Sequence, residues 1–130
     1  MTLAKLPDDA AVNAFWSATR TELLSAQWEE FFGLRVRSSL RPPSVQLSED
    51  AQEATKLARE VADDQLHRLV TPTADFEGEE PEVGDLMIVC DGQGEPVALV
   101  QTSAVGIEGD NTVETLECLF PVPEAKARKR

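Results

Sequence analysis

The sequence predicts an α+β fold: a small antiparallel β-barrel with two helices from its N-terminal half packed against it. Two observations carry that prediction. Apolar residues recur at three- and four-residue spacing in the first half, and after residue 83 short apolar runs separated by turn residues replace them. A third sets the scale: 130 residues, 42% apolar and 28% charged, suit one ordinary globular domain and argue against a wholly disordered chain.

The first helix is expected within an N-terminal helical segment, 1–33. Asp8 or Asp9, after Pro7, can cap free N–H groups, and Val12, Phe15, Trp16, Leu23 and Leu24 form a buried stripe running to about Trp28. Leu34-Arg35-Val36-Arg37 alternates as a short strand would, and Arg41-Pro42-Pro43 enforces an extended link. A second helix is predicted over 48–67. It starts at Ser48 or Asp50, where Asp50 and Glu53 suit a capping box. Ala51, Ala54, Leu57, Ala58 and Val61 then share one face, with Glu53, Lys56, Glu60 and Asp63 opposite.

Hairpins follow over 83–120. The apolar runs 86–90 and 97–100 flank the turn Asp91-Gly92-Gln93-Gly94, and a third strand is expected at 103–107. After the turn Gly109-Asp110-Asn111 comes a closing strand over 112–120. The domain is thus expected over 1–120, with a basic C-terminal tail over 121–130.

Twenty-four acidic against 12 basic side chains give a net charge of −12 and a pI near 4.4. Such a field disfavours tight, sequence-independent binding to phosphates, so any nucleic-acid contact must be local. The candidates are Arg35, Arg37 and Arg41 in one stretch, and Lys126, Arg128, Lys129 and Arg130 in the tail. Residues 60–95 hold eleven acids and one base, Arg68. No apolar run approaches the roughly 18 to 20 residues that span a bilayer, and residues 1–12 lack the apolar core of a secretion signal, so a cytoplasmic protein with no membrane association is expected. Cys90, Cys118 and the single histidine, His67, have no metal-ligand spacing; no metal or cofactor is expected, and the thiols read as buried strand residues. His67 is expected at the end of the second helix, near its last carbonyls.

One long stretch is more specific. It runs through Leu57-Ala58-Arg59-Glu60-Val61 and His67-Arg68-Leu69-Val70-Thr71. It continues as Pro81-Glu82-Val83-Gly84-Asp85, then Asp91-Gly92-Gln93-Gly94-Glu95-Pro96, and ends at Thr102-Ser103. This order resembles the ASCH domain family, small barrels of the PUA-like fold, whose members show a K-x-x-T segment, P-x-V-G-D, a D-G-x-G-x-P hairpin and a strand ending T-T or T-S. Asn13-Ala14-Phe15-Trp16 is similar to the aromatic pair on the family's first helix. The resemblance spans residues 12–120, with its specific part at 57–103. It implies a PUA-like β-barrel with a cleft whose ligand-binding positions are Arg68, Thr71, Asp91, Thr102 and Ser103.

The chain departs from the family where chemistry would occur. Hydrolytic members use the lysine of K-x-x-T to activate the threonine and a glutamate on a later helix to move protons. Here Arg68 and Thr71 stand at the matching positions, and only Glu108-Gly109-Asp110-Asn111 separates the last two strands. Arginine stays protonated and cannot serve as that base. No catalytic residue is assigned. The leading expectation is a module that binds RNA, a nucleotide or a small nucleobase-like ligand in the cleft without acting on it. One alternative is a weak amidohydrolase or nuclease-type enzyme, with Thr71 or a water as nucleophile, Arg68 stabilising negative charge and an unassigned carboxylate as base. The other is an acidic protein-interaction module whose face at 75–85 engages a basic partner.

Overall fold

The computed structural model describes residues 2–25, 41–63, 66–78 and 81–120. In chain order they form α1 (Asp9–Ser25), β1 (Ser44–Val45), α2 (Ala51–Asp63), β2 (Leu66–Pro72), a 3-10 turn (Thr73–Phe76), β3 (Leu86–Cys90), β4 (Pro96–Glu108) and β5 (Asn111–Phe120). The fold is α+β, as expected. Both helix starts follow their caps. The Asp8 carboxylate accepts the Ala10 N–H at 3.2 Å, and the Asp50 carboxylate accepts the Glu53 N–H at 2.9 Å.

The strands make one five-stranded sheet in the order β1-β3-β4-β5-β2, with β1 parallel to β3 and the other pairs antiparallel. Successive side chains of a strand point to opposite faces, and each face has its own core. Val12 and Trp16 of α1 pack on Leu86, Ile88, Cys90, Leu99 and Leu119. Phe15 and Phe120 meet edge to face beside them, with centroids 5.9 Å apart. Ala58 and Val61 of α2 pack on Val89, Ala98, Val100, Leu116 and Cys118 across the sheet. The helices therefore cover opposite faces, which is why β3 and β4 read as continuous apolar runs rather than alternating ones.

The same layering explains a difference from the expected barrel. With α1 on one face and α2 on the other, neither side of β3 and β4 is free to become a barrel interior. Among the described residues the sheet is open, with β1 and β2 at its two edges. Two further elements depart from expectation. The second helix ends at Asp63, and residues 66–72 instead pair with β5 from Leu66↔Glu117 to Pro72↔Asn111, so His67 sits on the edge strand β2 opposite Leu116 and not at a helix end. The strands expected at 97–100 and 103–107 are one, β4, bent by register shifts at Leu99/Val100 and Thr102/Ala104. The expected strand at 34–37, the end of the first helix beyond Ser25 and the tail at 121–130 lie outside the described residues.

An arm formed by residues 2–8 locks the start of α2 to the β3–β4 turn. The Ala4 N–H donates to the Glu49 carbonyl at 2.8 Å, Ala51 to Thr2 at 2.8 Å, Lys5 to Gly92 at 2.9 Å and Asp8 to Gly94 at 2.8 Å. These approaches are too close for a side chain on the turn. A Cβ on Gly92 would lie 2.0 Å from the Ala51 carbonyl oxygen, and one on Gly94, at φ +82°, would lie 2.3 Å from that of Leu6.

Candidate ligand site on the sheet

Arg68 and Thr71 are three residues apart on β2, so they project to opposite faces of the sheet. They do not share a cleft. Arg68 is 59% exposed and its guanidinium is ion-paired with Glu108. Thr71 is half-buried, directly across from Thr112 of β5.

Thr71 shares its face with a polar cluster set into the α2 side of the sheet. Cross-strand partners project to the same face, which places Thr71 with Thr112, Leu69 with Glu114 and Thr102 with Leu116. Thr102, Thr112 and Glu114 are all buried, Glu114 to 3% exposure. The Thr102 hydroxyl donates to the Glu114 carboxylate at 3.3 Å, and the Thr73 and Thr112 hydroxyls are bonded to each other at 2.8 Å. Burial pushes the Glu114 carboxyl above its usual range, the Thr102 hydrogen bond pulls it partly back, and the nearby Asp85 charge raises it again.

The P-x-V-G-D segment builds one wall of this cluster. The Asp85 carboxylate accepts the Glu82 N–H at 2.9 Å, closing a turn. Gly84 then donates to the Thr102 carbonyl at 2.8 Å, and the Thr102 N–H donates to the Asp85 carbonyl at 2.9 Å. On the other side, Thr73 donates its N–H to the Asp110 carbonyl at 2.9 Å. The acidic stretch 75–85 joins these two anchors; Asp75, Glu77 and Glu82 are exposed on it, while Glu79 and Glu80 lie outside the described residues.

The remaining expected site residues are elsewhere. Ser103, at the bulge of β4, donates its hydroxyl to the Thr115 carbonyl at 3.1 Å. Asp91 is a turn builder: its carboxylate accepts the Gln93 N–H at 2.9 Å and the Glu95 N–H at 3.1 Å. Arg41 reaches α1, donating to the Asp9 carboxylate at 2.8 Å and the Asn13 side-chain oxygen at 2.9 Å. Arg35, Arg37, Lys126, Arg128, Lys129 and Arg130 lie outside the described residues. Cys90 and Cys118 are buried in the two opposite cores, and burial, followed by the Asp91 charge, pushes the Cys90 thiol up to about 11. A thiol so placed carries little thiolate and is a poor nucleophile.

Thr71 and Thr102 are thus the two expected residues on this face of the sheet, Thr71 level with Thr112 and Thr102 level with Leu116, and the residues that lie beside them, Thr112 and Glu114, were not among the expected site residues. A signal for them was present: in Thr112, Glu114, Leu116 and Cys118 an acid occupies the apolar stripe of an alternating strand. Among the described residues, no cluster of three or more His, Cys, Asp or Glu could hold a metal ion, and no helix is long and apolar enough to cross a membrane. Comparisons with protein-family models, with curated proteins and with solved structures find no match to this chain.

Proposed function

We propose that this chain is a binding module of the ASCH kind, built on an open sheet and not on a closed barrel, and that it takes a nucleobase or nucleoside without acting on it. The observation that carries the reading is the Thr102–Glu114 pair, a carboxyl and a hydroxyl hydrogen-bonded to each other and buried in the face of the sheet. The pair sets a hydroxyl, which donates and accepts, beside carboxyl oxygens that accept, which suits the mixed donor and acceptor edge of a base. Thr71, Thr73 and Thr112 add hydroxyls on the same side.

Charge favours a single base over a polynucleotide. Arg41 and Arg68, two of the expected anion contacts, are already committed to Asp9 and Glu108, within a chain of net charge −12. The placement of Arg68 away from Thr71 likewise supports binding without turnover.

Titrating the protein with each of the common nucleosides, while following the Thr102, Thr112 and Glu114 amide signals, tests this reading. At least one nucleoside should saturate the shifts. Thr102→Val and Glu114→Gln should each weaken binding about tenfold, the effect of one good hydrogen bond in a buried site, and Arg68→Ala should leave it unchanged. The proposal fails if no nucleoside saturates, or if Glu114→Gln binds as the parent does.

A further inference from the structure

The arm that crosses the β3–β4 turn leaves two large apolar side chains outward, Leu3 at 66% and Leu6 at 85% exposure. The backbone around them is pinned by the hydrogen bonds of Thr2, Ala4, Lys5 and Asp8 to Ala51, Glu49, Gly92 and Gly94. Together with Leu47 and Pro7 they line an open groove of about 740 Å³, bounded on its far side by Ser44, Gln46 and Glu49. The Gln46 side chain ties the two walls together by donating to the Lys5 carbonyl and, at 2.9 Å, to the Asp91 carbonyl. One wall continues β1, which pairs on one side with β3 and forms an edge of the sheet among the described residues.

We propose that this groove docks an extended peptide segment of a protein partner, with apolar side chains flanked by lysine or arginine. Three features select that occupant. An edge strand offers backbone groups to an added strand, and the leucines offer pockets for its alternate side chains. A site that is already rigid saves the ordering cost that weakens most peptide complexes. Charge chooses the flanks: Glu49 lines the groove, Asp8 and Asp50 follow its lining residues Pro7 and Glu49 in the chain, Lys5 is the one cation within residues 2–8, and the whole chain carries −12. The site is separate from Thr102 and Glu114, so the two proposals stand or fall independently.

The probe is a fluorescein-labelled peptide of alternating leucine and threonine with lysine at both ends, beside a counterpart ended by glutamate. Anisotropy titrations should show saturable binding of the lysine-ended peptide, stronger at lower salt. Leu6→Ser, at a position exposed enough to leave the fold intact, should weaken it about tenfold, as should the change to glutamate ends. Amide shifts should concentrate at residues 3–7 and 44–49. The proposal is overturned if binding is not saturable, if Leu6→Ser or the glutamate-ended peptide binds as well, or if the shifts map elsewhere. It is also overturned if the free protein sediments as a dimer that Leu6→Ser dissociates, because the groove's occupant is then a second copy of this chain.

Discussion

Four glycine-to-alanine substitutions separate what backbone conformation and close approach each contribute to the locked arm. Gly106 has open space around it and no positive φ, so Gly106→Ala should change stability by less than about 0.5 kcal/mol. Gly78, at φ +88° with nothing near its missing Cβ, isolates the left-handed backbone, which costs about 1 kcal/mol. Gly92 isolates contact: a methyl 2.0 Å from the Ala51 carbonyl oxygen must push the start of α2 off the turn and strain the Lys5 bond to Gly92, costing about 2–3 kcal/mol. Gly94→Ala combines both, at φ +82° and 2.3 Å from the Leu6 oxygen, and should cost about 3–4 kcal/mol. For a domain of this size each kcal/mol lowers Tm by about 3–4 °C, so calorimetry should find Gly94→Ala roughly 10 °C below the parent and Gly78→Ala about 3 °C below. Hydrogen exchange should show the Lys5 and Asp8 amides losing protection in the first but not the second. If Gly92→Ala melts no lower than Gly78→Ala, the close approach does not govern this turn and the reasoning fails.

Two stability measurements test the buried polar groups. The native carboxyl of Glu114 holds its proton to higher pH than the unfolded one, so its stability contribution is fully present below the ordinary carboxylate range and is lost as pH rises through the raised value. In urea titrations Glu114→Gln should therefore match the parent near pH 4 and exceed it near pH 7; a constant difference across that range refutes the assignment. Among the described residues Thr19 has a fully buried hydroxyl with no hydrogen-bond partner, on the same helix as the Trp16 indole nitrogen, which is likewise buried without a partner among them. Thr19→Val keeps the shape and removes the unpaired hydroxyl, and should stabilise by about 1 kcal/mol; a loss of stability would show that the hydroxyl has found a partner in solution.

What the sequence disclosed followed from how local each feature is. The Asp50 cap, the Ala51–Val61 stripe and the Asp91 turn depend on neighbours a few residues apart, and all three are found. The reason for glycine at 92 and 94 is not local: it lies in Ala51 and Leu6, brought there by the fold. The same holds for residues 66–72, where a helical end and a strand were both compatible with the pattern and pairing with β5, about forty residues later, decided it. That decision also split the expected site, because the two candidates lie on opposite faces once the segment is extended. Glu114 was visible as an acid in an apolar stripe, but its Thr102 partner is fixed by a register that a bulge at 102–104 shifts.

The locked arm has a consequence for how the molecule is made. During synthesis residues 2–8 leave the ribosome well before residues 49–51 and 92–94, the surfaces that hold them. The arm must wait until most of the chain has emerged, and its docking closes one of the longest sequence intervals in the fold. Closing a loop of that size is entropically costly before other contacts exist, so the arm's docking depends on the α2 start and the β3–β4 turn already being in place.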